Sequence, residues 1–237
     1  MRLVSLLVSL LIYSGTCVAQ AAYKLETVAE GLNFPWSIAF LPSGDYLVAM
    51  RSGEVRRIST NGDVSDPITG LPESYVMSQG GYFDIALDPN FISNQRVYLS
   101  FAHGNADANA TRIVAGRLEG NSVSGVEPIF TVTPLKDTPV HYGGKMIFQS
   151  DGTLLMTTGD GFEYREAAQD PYNLMGKVIR INADGSIPAD NPFADGENGH
   201  PAVWSYGHRN PQGLDIDPSN GNVYAHEHGA KGGDELN

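Results

Sequence analysis

The chain has 237 residues, which is enough for one large domain or two small ones. Hydrophobic residues make up 41% and charged residues 18%, which excludes a disordered acidic chain, and the net charge of −12 argues against a nucleic-acid partner because phosphate binding needs a basic face. The 27 glycines and 14 prolines predict many short elements rather than long helices.

The first twenty residues differ in character from the rest. Arg2 precedes the apolar stretch LVSLLVSLLIY, and small residues follow it, which is typical of a secretory signal peptide. We therefore predict a signal peptide at 1–21 and a domain at 22–237 in a periplasmic or secreted protein. The apolar stretch is too short to span a bilayer comfortably, so we expect no stable membrane insertion after cleavage. The single cysteine, Cys17, lies within the signal, so we expect no disulfide in the mature chain.

A hairpin pattern recurs along the mature chain. Each copy has an alternating apolar segment, a turn of Asp, Pro, Ser, Asn or Gly, and a second segment rich in Val, Leu and Tyr. The copies are WSIAFLPSGDYLVAM (36–50), FDIALDPNFISNQRVYLSF (83–101), KMIFQSDGTLLMTT (145–158) and GLDIDPSNGNVYAHE (213–227). Phe40, Leu87, Phe148 and Ile216 hold equivalent positions, separated by 47, 61 and 68 residues.

This repeat predicts an all-β propeller with long loops on one face. Spacing of roughly 45 residues with variable insertions is typical of propeller blades. A β-sandwich is the alternative, but it would not repeat one hairpin four times. Helical signals are sparse, and the best is near EAAQDPYNLMGKVIRI, where Pro171 and Gly176 limit any helix to a turn or two. About four blades fit in the chain, and nothing near GGDELN resembles a closing strand, so we expect a truncated larger ring rather than a four-bladed one.

The common nucleotide and hydrolase motifs do not occur. No G-x-x-x-x-G-K-[ST] is present, and GDGFEY (159–164) lacks the third glycine of a dinucleotide fingerprint. No G-x-S-x-G elbow is present either, which argues against an α/β-type serine hydrolase.

His141 is a candidate general base. It lies in TPVHYGGKMIF just before a predicted strand, and the two glycines after it allow the backbone to approach another group closely. Imidazole accepts a proton near neutral pH. A loop histidine bonded to a backbone carbonyl is the alternative.

Two motifs near the end of the chain could hold a metal. His226 and His228 lie two apart on a predicted strand, but no third zinc ligand is identifiable, so a structural pair is favoured. In GAKGGDELN (229–237), glycines that expose carbonyl oxygens alternate with carboxylates, which suits calcium. A glycine turn with solvated charges explains the same pattern.

Three polar side chains are expected to converge with His141. Arg209 and Asn210 lie in GHRNPQG (207–213), where a guanidinium fork and an amide suit an anionic group. Gln79 occupies the corresponding loop of an earlier blade, again beside two glycines. Loops that precede equivalent strands meet at one end of a propeller axis, so we predict a site built from Gln79, His141, Arg209 and Asn210.

These blocks resemble the soluble pyrroloquinoline-quinone (PQQ) dependent sugar dehydrogenases, in particular the aldose sugar dehydrogenase branch. The resemblance extends from Leu32 to Asn237 and is carried by GLNFPWSIAFLPSG, QGGYFDIALDP, HYGGKMIFQSDGTLLMTTGD, GHRNPQGLDIDP and EHGAKGGDELN, in this order. It implies a six-bladed periplasmic propeller that binds PQQ and Ca²⁺ near the axis, oxidises aldose sugars to lactones, and passes the electrons to an unidentified acceptor.

The resemblance also implies residue roles. His141 would remove the proton of the anomeric hydroxyl, Arg209 would stabilise charge on the quinone, and Asn210 and Gln79 would contact the cofactor. The carbonyls of Gly229 and Ala230 would ligate the cofactor's calcium. Asp234 would support the histidine, and Glu235 would belong to a second, structural calcium site.

The chain departs from the family pattern at three places. Val140 stands where the glucose-oxidising branch has an acidic residue, and Ala230 stands where proline is frequent. The family's last two blades and remaining cofactor-binding cations would follow Asn237, so we expect residues 1–237 alone neither to close a ring nor to bind PQQ tightly. Two other functions fit a propeller: a calcium-dependent lactonase, or a non-catalytic module that binds glycans or proteins.

Overall fold

Four antiparallel sheets follow one another along residues 23–237, the part of the chain that the computed structural model describes. The predicted signal peptide lies outside the described residues. The strands are β1 (Pro35–Phe40), β2 (Tyr46–Met50), β3 (Glu54–Ile58), β4 (Val64–Pro67), β5 (Tyr82–Leu87), β6 (Arg96–Gly104), β7 (Asn109–Glu119), β8 (Ser122–Thr131), β9 (Gly143–Phe148), β10 (Leu154–Thr158), β11 (Lys177–Ile181), β12 (Val203–Tyr206), β13 (Pro211–Ile216), β14 (Val223–Glu227) and β15 (Glu235–Leu236).

Each sheet is a blade whose strands pair in chain order. The first three blades have four strands each, β1 to β4, β5 to β8 and β9 to β12, and the fourth has β13 to β15. The four predicted hairpins are the first two strands of these blades. Phe40, Leu87, Phe148 and Ile216 are the last residues of β1, β5, β9 and β13. The sequence prediction of a propeller built from repeated hairpins is therefore confirmed.

Alternation of side chains along each strand builds the core between blades. In β6, Leu99 packs into the cluster shared with the first blade, while the adjacent Tyr98 packs into the cluster shared with the third. In β10, Leu154 joins the second blade's cluster and Leu155 joins that of the fourth. Each such side chain is fully buried and contributes about 1.5–3 kcal/mol. Successive residues of one strand thus hold two neighbouring blades together.

The first strands of the blades are nearest neighbours. β1 packs on β5, β5 on β9, and β9 on β13, so the segments that precede these strands lie at one end of the assembly. This arrangement positions the candidate site, because Gln79, His141 and Arg209 each precede such a strand.

Two short helices interrupt the strands. A 3-10 helix at Arg165–Gln169 agrees with the predicted turn or two before Pro171, and α1 (Phe91–Asn94) lies inside the second hairpin. Among residues 23–237, no helix has the length and apolar character needed to cross a bilayer.

Candidate active site

His141 is held by contacts from two blades. Its Nδ1 lies 2.7 Å from Oδ1 of Asp160, and its backbone N–H donates to Oε1 of Gln79 over 2.8 Å. Both members of the histidine–carboxylate pair are buried, with side chains 7% and 3% exposed. The ring of Phe162 meets the imidazole edge to face at 5.2 Å. A carboxylate at Nδ1 fixes the tautomer with hydrogen on Nδ1, so Nε2 is left to accept a proton.

The backbone around His141 is strained and tightly packed. His141 has φ 51°, a left-handed conformation that costs a non-glycine residue about 1–3 kcal/mol unless its surroundings hold it. Gly159 lies against it: a Cβ there would stand 2.2 Å from the His141 carbonyl oxygen. Gly144, after the histidine, likewise allows close packing, since a Cβ on it would stand 2.7 Å from the side chain of Phe83. The predicted close backbone approach is confirmed.

Arg209 and Asn210 connect the fourth blade to the histidine. The Arg209 carbonyl accepts the N–H of Asp160 at 2.8 Å, and Oδ1 of Asn210 accepts the N–H of Gly143 at 3.3 Å. The guanidinium of Arg209 donates to the carbonyl oxygens of His228 and Gly229, at 3.0 and 3.1 Å. The guanidinium carbon, Cζ, lies 6.0 Å from the ring centre of Phe162. The structure therefore brings Gln79, His141, Arg209 and Asn210 together.

Two cavities adjoin this group. One, of about 250 Å³, is axial and receives residues from all four blades, Trp36, Arg51, Gln79, Phe83, Tyr142, Gly143, Asn210, Gln212 and His228. The other, of about 450 Å³, lies between the Asp160–Gln169 segment and Arg209, and its lining includes Phe162, Arg165, Ala230 and Lys231. Neither lining includes His141, but its hydrogen-bond partners do line them: Gln79 lines the axial cavity and Asp160 lines the other. A further cavity, of about 670 Å³, lies against the first blade and the segment 26–32, and its lining includes none of Gln79, His141, Arg209 and Asn210.

A buried lysine underlies the loop that carries His141. Lys136 donates to Asn109 Oδ1 at 3.1 Å and to the Thr138 carbonyl, and its ammonium lies 3.5 Å from the ring centre of Tyr142. Burial lowers the pKa of Lys136 to about 7, although Asp137 and Asp160 favour the charged form. Burial also raises the pKa of Tyr142, whose hydroxyl donates to Asn109.

Asp234 does not contact His141, the residue that the resemblance implied it would support. Oδ1 of Asp234 accepts the N–H of Gly229 at 2.9 Å and lies 3.9 Å from Nδ1 of His228. The carboxylate beside His141 is Asp160, not Asp234. Glu235 lies in β15, exposed and paired in register with Glu227. Its assignment to a second calcium site stays a prediction.

The predicted metal motifs have few side-chain ligands. Within residues 23–237, no group of three His, Cys, Asp or Glu side chains is arranged to hold a metal. The ring of His226 lies against Gly213, and His228 follows β14. The Gly229 carbonyl accepts from Arg209, and the Ala230 carbonyl accepts the N–H of Gly233 at 3.2 Å.

The donor set fits an anionic cofactor better than it fits calcium alone. Arg51, Arg209 and Lys231 line the two cavities of a chain whose net charge is −12. Gln79 and Asn210 add amide groups beside them. Calcium prefers six to eight oxygens, and the Gly229 and Ala230 carbonyls supply two, so a calcium ion there needs oxygens from a ligand or water.

Sequence reasoning missed two residues of this site. Asp160 lies in GDGFEY, a stretch considered only as a nucleotide motif, and an acidic residue directly after a strand was the available signal. Arg51 follows β2, and its guanidinium carbon lies 4.8 Å from the ring centre of Phe34. No sequence pattern predicted that Arg51 lies at the axial cavity, because Arg51 follows the second strand of its hairpin, whereas the predicted site residues precede a first strand.

Known proteins are similar to this chain in sequence and in architecture. The aldose sugar dehydrogenase YliI of Escherichia coli is 35% identical over 94% of this chain and 61% of its own length. The soluble aldose sugar dehydrogenase of E. coli in its apo form has a TM-score of 0.86 at 35% identity, over 90% of this chain and 62% of that one. The PQQ-bound aldose sugar dehydrogenase of Streptomyces coelicolor has a TM-score of 0.75 at 34% identity, over 90% and 62%.

The chain spans less than two thirds of the length of these relatives. The model of the glucose/sorbosone dehydrogenase family matches residues 32–237, from the segment before β1 to Asn237. With four propeller blades around the Gln79, His141, Arg209 and Asn210 group, this match shows that the chain belongs to the glucose/sorbosone dehydrogenase family.

Proposed function

We propose that this chain forms part of a PQQ-dependent aldose sugar dehydrogenase that converts an aldose to its lactone in the periplasm or outside the cell. The observation that carries the proposal is the buried His141–Asp160 pair, with Gln79 bonded to the histidine backbone. The sugar dehydrogenase relatives and the PQQ-bound neighbour support the substrate class and the cofactor.

The chain's own residues supply the proton transfer. Nε2 of His141 takes the proton of the anomeric hydroxyl as a carbon–oxygen double bond forms, while Asp160 stabilises the imidazolium that results. The anomeric carbon loses its hydrogen with both bonding electrons. When bound, PQQ supplies the two-electron acceptor for this oxidation, and calcium supplies a Lewis acid that polarises it.

Other residues bind and orient the cofactor. Arg209 offers a planar fork of donors to an anionic oxygen, and Arg51 adds positive charge at the axial cavity. Asn210 and Gln79 present amide groups at the same cavity. The carbonyls of Gly229 and Ala230 are the proposed protein ligands of calcium. Reoxidation requires an electron acceptor, whose identity is open.

The test uses the full-length protein, loaded with PQQ and calcium, in an assay of dye reduction driven by aldoses. We expect sugar-dependent dye reduction that the His141→Ala variant loses, together with lactone as the product. Absence of reduction by the wild type, or equal rates for both proteins, would contradict the proposal. Lactone hydrolysis without dye reduction would instead favour a lactonase, and sugar binding that His141→Ala leaves unchanged, without turnover, would favour a binding module.

A further inference from the structure

Glu227 bonds to the loop that carries Arg209. One carboxylate oxygen, Oε1, lies 2.9 Å from Nδ1 of His208 and accepts the side-chain amide of Asn237 at 3.1 Å. The other, Oε2, accepts the backbone N–H of Arg209. Glu227 and His208 are both buried. Burial disfavours the charged carboxylate, but the hydrogen bonds from His208, Arg209 and Asn210 outweigh it and hold the pKa of Glu227 below its ordinary value.

The histidine extends this contact to the third blade. Nε2 of His208 lies 2.8 Å from the hydroxyl of Ser205, a residue of β12, and the His208 N–H donates to the carbonyl of Gly176. Because Nδ1 faces a carboxylate, it carries the hydrogen, and Nε2 accepts from Ser205. The chain Ser205–His208–Glu227 therefore joins β12 of the third blade to β14 of the fourth, across the Arg209 loop.

Ser205, His208 and Glu227 have the connectivity of a hydrolytic triad, but their surroundings suit a structural purpose. Ser205 does not line the cavity that His208 and Arg209 border. One oxygen of Glu227 instead accepts the main-chain N–H of Arg209, and the carbonyl oxygen of Arg209 accepts the N–H of Asp160. Because the Arg209 backbone is held in place, the point from which its side chain extends is also held. From there the guanidinium reaches the carbonyl oxygens of His228 and Gly229.

We propose that His208 and Glu227 are positioning residues, which fix the Arg209 main chain so that its guanidinium is held beside the Gly229 carbonyl and the cavity that Arg209 lines. This inference rests on the proposed function for its consequence in catalysis. The contact itself involves only residues of this chain, so it can be tested without the cofactor or the sugar.

Substitution of Glu227 by glutamine tests the contact with almost no change in volume. A carboxylate accepts all of these donors, whereas an amide has one acceptor oxygen and turns its own N–H groups toward one of the donors. We expect Glu227→Gln to lower kcat/KM for the sugar by about 10- to 100-fold, as is typical when groups that orient a functional residue are removed. His208→Leu removes the ring N–H that faces Glu227, whereas His208→Asn keeps a side-chain N–H that can point toward this carboxylate. We therefore expect His208→Asn to be the more active of the two variants.

A double-mutant cycle separates positioning from a general structural role. Melting temperatures of the full-length, cofactor-free protein are measured for wild type, Glu227→Gln, Arg209→Ala and the double variant. If Glu227 holds Arg209, the Arg209→Ala change lowers the melting temperature less in the Glu227→Gln background than in wild type. PQQ affinity, followed by absorbance titration, should show the same non-additive pattern.

Asp88→Asn is the matched control. Asp88 is also a buried carboxylate, but it bonds to Asn90 and Tyr98 in the second blade. We expect Asp88→Asn to be additive with Arg209→Ala. Strict additivity of Glu227→Gln and Arg209→Ala in both measurements would overturn the positioning role. A wild type that reduces no dye would overturn the proposed function alone, since the melting experiment needs neither PQQ nor sugar.

Discussion

Nδ1 of His141 and Oδ1 of Asp160 lie 2.7 Å apart, on either side of the first hairpin of the third blade. His141 precedes β9 and Asp160 follows β10, so the antiparallel pairing of these two strands brings the residues together. The pair is buried, and Asp160 lines the cavity beside Arg209. A single β-hairpin therefore places the carboxylate that fixes the tautomer of His141.

Asp160→Asn should remove the fixed tautomer while preserving the shape of the site. An amide N–H that faces Nδ1 favours the tautomer with hydrogen on Nε2, which cannot accept the substrate proton. We expect kcat of the full-length protein to fall by about 10²-fold or more, with a small change in KM. Steady-state dye reduction measures this. Asp137→Asn, at an exposed carboxylate bonded to Tyr164 in the adjacent loop, is the control and should retain activity.

Two substitutions of Gln79 should separate its two contributions. Gln79→Leu leaves the His141 N–H without its acceptor, so we expect a loss of about 1 kcal/mol in the free energy of unfolding and a lower kcat. Gln79→Glu keeps the acceptor but adds negative charge to the axial cavity, so we expect near-normal stability and about tenfold weaker PQQ binding. Denaturant unfolding and PQQ titration measure the two effects. Equal PQQ affinity for Gln79→Glu and wild type would contradict the assignment of an anionic ligand to this cavity.

Lys136 should make stability depend on pH. Its folded pKa is about 7, below the ordinary value for lysine, so between pH 7 and about 10 the unfolded chain binds the proton and the folded chain does not. Unfolding free energy due to this group therefore rises with pH across that window and is lower below pH 7. Lys136→Met removes the titrating group. The difference in unfolding free energy, wild type minus variant, should increase from pH 7 to 9 in denaturant titrations, and a constant difference would show that burial does not shift this lysine.

Gly159→Ala should disturb the histidine without removing any polar side chain. The added Cβ would stand 2.2 Å from the carbonyl oxygen of His141, which is a backbone atom. We expect a loss of about 3 kcal/mol or more in stability, together with loss of dye reduction. Gly152→Ala, at a turn with open space around the Cβ, is the control and should cost about 1 kcal/mol through its positive φ. Similar thermal unfolding of the two variants would contradict a tight contact at Gly159.

The sequence determined the repeated unit of this protein. Alternating apolar residues and turn chemistry depend on neighbours a few positions away, so the four hairpins and the equivalence of Phe40, Leu87, Phe148 and Ile216 could be predicted locally. The chemical types of Gln79, His141, Arg209 and Asn210, together with their place before equivalent strands, were enough to predict their convergence.

Only the tertiary structure decided which groups act on these residues. Asp160 rather than Asp234 faces His141, because strand pairing in one hairpin brings the first close and the path of β14 and β15 places the second beside Gly229. Glu227 reaches the Arg209 loop from the neighbouring strand, and Arg51 reaches the axial cavity from another blade. Such partners are set by register and by packing between blades, which depend on distances across the fold that local sequence patterns do not encode.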